Sequence, residues 1–123
     1  MVGYIIHVQN SDGKTLVTIQ QRVSERVSVL DSLENMEKDG KSKCILDNGG
    51  YPYRYSVKAS DIIPVIEKWF DSLRENDPRL KMDFWMMGYG VTPDCPVHTT
   101  KNKSEIPVCS PDETLTVELW DLS

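Results

Sequence analysis

The chain has 123 residues, of which 39% are hydrophobic and 27% charged, the balance of an ordinary globular protein and not of a disordered one. Its formal net charge of −5 works against non-specific binding to phosphate backbones and favours a basic partner if the partner is a macromolecule. No apolar run approaches the roughly 20 residues of a membrane helix, and the length suits a single domain, residues 1–123, with core enough to stand without disulfide or metal.

In chain order, Tyr4 to Val8 is a short β-rich run, Ser11-Asp12-Gly13 supplies turn residues, and Leu16 to Ile19 is β-branched and apolar again, so a hairpin is predicted. The first run is broken by His7 and has no basic residue ahead of it, which is not the pattern of a secretory signal. Alternation puts Tyr4, Ile6 and Val8 on one face and Ile5, His7 and Gln9 on the other, as in a half-wet sheet. Val23, Val27, Leu30, Leu33 and Met36 then recur at helical spacing, although the valines at 23, 27 and 29 also suit a strand. The helix is expected from Asp31, with Asp31 as cap, Glu34 reaching back, and Asp39-Gly40 as the stop.

A second hairpin follows: Cys44 to Leu46, a turn at Asp47-Asn48-Gly49-Gly50, and Tyr51 to Val57, with Pro52 forcing a strand start or an edge. Ser60 is expected to cap a helix whose stripe is Ile62, Ile63, Ile66, Trp69, Phe70 and Leu73, with Pro64 in the first turn. Met82 to Met87 is apolar almost throughout and reads as a central strand covered on both faces. Thr114 to Leu122 is the last strand, with Leu115, Val117 and Leu119 on one face. Between these two strands, residues 90–113 form a long loop containing Pro93, Pro96, Pro107 and Pro111, and loops of that length tend to carry function. The order β-β-α-β-β-α-β-loop-β predicts an α+β fold: a mainly antiparallel sheet of five to six strands with two helices on one face.

Cys44, Cys95 and Cys109 are an odd set that draws no disulfide framework, which places the chain in a reducing, cytoplasmic compartment. With His98, those three thiols make a permissible tetrahedral zinc set, but the spacing lacks the second short ligand pair of a good zinc module, so no metal is expected. Cys95 and His98 also lack the oxyanion-hole glycines that a thiol nucleophile would use. His7 is expected to be a solvated or satisfied strand histidine and not a catalyst. The carboxylates form no spaced acid–base pair, and Gly88-Tyr89-Gly90 lacks the rest of any nucleotide motif, so neither an enzyme nor a cofactor is expected.

Tyr51, Tyr53 and Tyr55 alternate along one strand and share a face, where they would stack bases, pack under a helix, or anchor a protein interface. The acidic charge disfavours the first use. The build is similar to that of many bacterial toxin-immunity proteins and phage anti-defence inhibitors, small acidic α+β domains that block one protein. That resemblance implies a binding protein that neutralises a basic, nuclease-like toxin, and it transfers no residue roles. The residues themselves point to the tyrosine strand and the 90–113 loop as the interface, through Tyr51, Tyr53, Tyr55, Asp94, Asp112 and Glu113. The alternative is a small enzyme or zinc protein built on Cys95, His98 and Cys109. Neither nucleic acid nor membrane is expected as a partner.

Overall fold

The computed structural model describes residues 3–22, 25–47, 53–81, 84–85, 96–97 and 99–121. The Asn48-Gly49-Gly50 turn, Tyr51, Pro52, Asp94, Cys95 and His98 lie outside them. Strands β1 (Tyr4–Gln9) and β2 (Thr15–Gln21) form the first hairpin. Its turn closes on Asn10, whose side-chain oxygen accepts from the amides of Asp12 and Lys14, both at 3.0 Å, while Gly13 supplies a φ of 82° that a side chain would strain.

Helix α1 (Val29–Lys38) begins before the expected cap. Ser28 is the N-cap, and its hydroxyl accepts from the amide of Asp31, so Asp31 lies inside the first turn, where a carboxylate also suits the helix dipole. Ser28→Ala is expected to cost about 1 kcal/mol, read as a lower thermal midpoint. Gly40, at φ 76°, ends the helix as its sequence position suggests. Strands β3 (Ser42–Asp47) and β4 (Tyr53–Lys58) are the second hairpin, and α2 (Ala59–Ser72) follows directly.

Two details of α2 differ from expectation. Ser60 is its second residue and not its cap; the amides of Ala59 and Ser60 are met by the backbone carbonyls of Glu113 (2.9 Å) and Pro111 (3.1 Å). Pro64 is the sixth residue and lies past the first turn, so the Ser60 carbonyl loses its usual intrahelical donor. Beyond α2 come a 3-10 turn at Pro78–Leu80, β5 (Phe84–Trp85), β6 (Pro96–Val97), a second 3-10 turn at Lys103–Glu105 and β7 (Thr114–Asp121).

The main sheet has five strands in the order β2-β1-β7-β4-β3, every described pair antiparallel. The fold is α+β. The central strand is β7, in the place expected of Met82–Met87; of that segment the described residues, Phe84 and Trp85, form β5, which pairs with β6 in a separate ribbon. Leu115, Val117 and Leu119 of β7 have no exposure at all, and they face Ile6 and Val8 of β1 and Tyr55 and Val57 of β4 under α1 and α2. Both helices pack on that one face, with Trp69 and Phe70 of α2 in edge contact at 5.0 Å between ring centroids.

The two sheet edges are closed by different means. On β2 the amide and carbonyl of Thr18 are paired with Thr100, whose hydroxyl accepts at 3.1 Å and whose amide donates at 2.8 Å. On β3 the register breaks between Cys44 and Leu46, and the Glu37 carboxylate accepts from the Cys44 amide at 3.0 Å. A capped edge and a bulged one both resist pairing with another chain. No helix among the described residues is long and apolar enough to cross a membrane.

Candidate functional site

Three clusters gather the polar chemistry. The first lies on the sheet face away from the helices, where Thr18, His7, Glu118 and Arg54 stand in register across β2, β1, β7 and β4. The His7 Nδ1 is 3.0 Å from the Thr18 hydroxyl, and Glu118, only 8% exposed, accepts from Arg54 Nε at 2.7 Å and from Trp120 Nε1 at 2.6 Å. Hydroxyl, imidazole and carboxylate thus follow one another as they do in a nucleophilic triad. Here, though, each carboxylate oxygen is engaged by Arg54 or Trp120, and Thr18 is buried, so the row works as a cross-strand brace. Burial holds the His7 imidazole below its usual range, against the opposing pull of Glu118.

The second cluster clasps the end of α2 to the start of α1. Arg79, with 7% of its side chain exposed, binds Asp77 through Nε (3.0 Å) and Nη2 (2.8 Å) and Glu25 through Nη1 (2.7 Å) and Nη2 (3.0 Å). Its Nη1 also donates to the Gln20 carbonyl at 2.9 Å, and its guanidinium lies 5.2 Å from the Trp69 ring centroid. Hydrogen bonds from Arg79 hold the Asp77 carboxyl down at about 2. Among the described residues every buried side-chain nitrogen and oxygen has a partner, so the clasp is a closed structural network.

The third cluster is open. From Thr100 at the β2 edge the chain passes to α2, where Lys103 Nζ meets Asp71 at 2.5 Å, and then runs along the helix as a strap until Pro111 and Glu113 bind its N-terminal amides. Between strap and helix lies a groove of about 360 Å³, walled by Ala59, Ile63 and Pro64 on one side and Ile106, Pro107 and Pro111 on the other. Val108 stands on its lip and is fully exposed. Cys109 lines the groove as well; burial and the adjacent Glu113 push its thiol up, toward the protonated and unreactive form.

Of the residues expected to contact a partner, Tyr53, Tyr55, Asp112 and Glu113 are described, and they do not share one exposed surface. Asp112 and Glu113 flank the strap, Asp112 exposed and Glu113 half-buried. Tyr55 is a correction: at 5% exposure it belongs to the core under the helices, and Tyr53, on the same face, is half-buried against that core. Register puts the rings on the helix-covered side, with Tyr53 opposite Leu119 and Tyr55 opposite Val117, and β4, between β7 and β3, lends no free edge. Tyr51 and Asp94 lie outside the described residues. So do Cys95 and His98; Cys44 and Cys109 sit on separate elements, neither in a disulfide, and no group of metal-ligating side chains assembles among the described residues. Val108 was not marked by any sequence pattern, although its place between Pro107 and Pro111 in a stretch without hydrophobic periodicity is the signal that bears on it. No protein-family model matches the chain, and no curated protein or solved structure is similar enough to it to show kinship.

Proposed function

We propose that this protein binds one basic protein partner stoichiometrically and neutralises it, in the manner of an immunity protein acting on a nuclease-like toxin, and that the strap is the contact surface. The observation that carries this reading is Val108, a large apolar side chain wholly in solvent on a segment tied down at both ends. A residue so placed gains little in the isolated molecule and much at an interface, where buried anchors in rigid surroundings dominate affinity. Two prolines and the bonds to α2 hold the strap in place before binding, which lowers the ordering cost on association. The net charge of −5, with Asp112 exposed beside the strap, favours a cationic partner and speeds encounter.

Native mass spectrometry of tagged protein, purified gently from its own host, tests this. A one-to-one complex with a basic polypeptide is expected. Val108→Asp is expected to weaken that complex at least about tenfold, the effect of losing an interface anchor, while the melting temperature stays within a degree or so because a fully exposed side chain lends the fold little. Recovery of the protein alone, or a complex indifferent to Val108→Asp, would sink the reading.

A further inference from the structure

We infer that the groove between α2 and the strap is the recognition slot for a short extended basic segment of the partner, whose aliphatic side chain enters the groove while a flanking lysine or arginine meets Glu67. This rests on the binding-protein reading and deepens it. At about 360 Å³ the groove is at the small end of ligand sites, so it suits one or two side chains in place of a cofactor. Its walls are a helix surface and three prolines, Pro64, Pro107 and Pro111, which change shape little on binding.

The chemistry of the walls selects against an anion. A helix N-terminus usually welcomes negative charge, but the Ala59 and Ser60 amides of α2 are already bonded to the carbonyls of Glu113 and Pro111, and proline has no N–H to offer. The ends of the groove select for a cation. Glu67 lines it on the helix side; Lys103 also lines it, yet its ammonium is held by Asp71, which lies one helical turn beyond Glu67. Two carboxylates therefore face one lysine at that end. At the other end Cys109 has the Glu113 carboxylate beside it. An apolar floor with Glu67 lining one end and Glu113 beside the Cys109 that lines the other is complementary to an aliphatic residue between two basic ones.

The test is a titration of the full-length, 15N-labelled protein with an acetylated and amidated Gly-Lys-Leu-Lys-Gly peptide, followed by amide chemical shifts. Perturbations confined to Ile63, Glu67, Ile106 and Cys109 and their neighbours are expected, absent with Gly-Glu-Leu-Glu-Gly. Exchanging the peptide's leucine for alanine and, separately, introducing Glu67→Lys are each expected to weaken binding at least about fivefold. Equal response to both peptide charges, shifts away from the groove, or no shift at millimolar peptide overturns the inference. Its failure is distinct from that of the wider reading: a natural partner lost on Val108→Asp while the lysine peptide leaves the groove unmoved keeps the binding protein and rejects the slot, whereas a seated peptide with no natural partner does the reverse.

Discussion

Arg79→Ala is expected to remove about 3–5 kcal/mol of folding stability, the cost of stripping the partner from buried charges. Glu25 and Asp77 would remain behind with 14% and 11% of their side chains exposed, facing each other across the space the guanidinium had filled. The Gln20 carbonyl and the Trp69 ring would each lose a contact as well. Urea unfolding reads the effect as a lower midpoint at constant slope. Arg79→Lys is expected to recover only part of it, because a single ammonium cannot fork between two carboxylates. A loss below about 1 kcal/mol, the figure for an exposed pair, would mean that the clasp is open to water.

The same clasp fixes a pH window. The Asp77 carboxyl sits at about 2 in the folded chain against an ordinary 3.8, so the folded state binds fewer protons there than the unfolded one. Its contribution is complete above pH 3.8 and is lost as the pH falls through 2. The gap between the wild-type chain and Arg79→Ala should therefore narrow across that interval. An unchanged gap at pH 2 would place the stabilisation in packing against Trp69 and not in the charge pair.

Much of the fold is legible in the residues because one face of each element is strongly apolar. Ile6 and Val8, Leu115, Val117 and Leu119, and the Ile62–Ile66–Trp69 stripe all end in the core that their spacing predicts. Strand order is another matter. Met82 to Met87 is more apolar than β7, and hydrophobicity alone makes it the central strand; what places β7 there is pairing along both of its edges, over six residue pairs with β1 and six with β4, a property of two distant segments together. The α2 cap was hidden for a related reason. Ser60 is a good capping residue by type, but the carbonyls that meet the helix amides come from Pro111 and Glu113, some fifty positions away.

The site follows the same division. That residues 90–113 carry an exposed surface is written in their prolines and missing periodicity, and the described part does present Val108 and Asp112. That the surface includes a groove depends on α2 lying beneath the strap, which no local pattern records. The tyrosines show the opposite case: alternation correctly puts Tyr53 and Tyr55 on one face, and only the strand order decides that this face is the core. By the same alternation Arg54 and Glu118 fall on the second face of their strands. Their partnership required β4 and β7 to be neighbours.

That partnership carries the last large effect. Glu118→Ala is expected to cost about 1–3 kcal/mol, the range for leaving a buried polar group unmet. Arg54, with 43% of its side chain exposed, can turn to water, so the loss falls on the Trp120 indole N–H. His7 also gives the row a pH response. Burial lowers its folded pKa from 6.5, so around that pH the unfolded chain binds more protons, and stability declines as the pH falls through 6.5 until the folded imidazole is itself protonated. The groups facing the ring are Thr18 on β2 and Glu118 on β7, with Arg54 beyond the carboxylate on β4. His7→Asn removes the titration and should flatten stability between pH 7 and pH 5, a window clear of the Asp77 transition. Glu118→Gln keeps the shape but removes the attraction, so the His7 ring protons, followed by NMR, should titrate lower still than in the wild-type chain. A midpoint that rises instead would show that Arg54, released from its carboxylate, has turned away from the imidazole, and that the row couples through the guanidinium more than through Glu118.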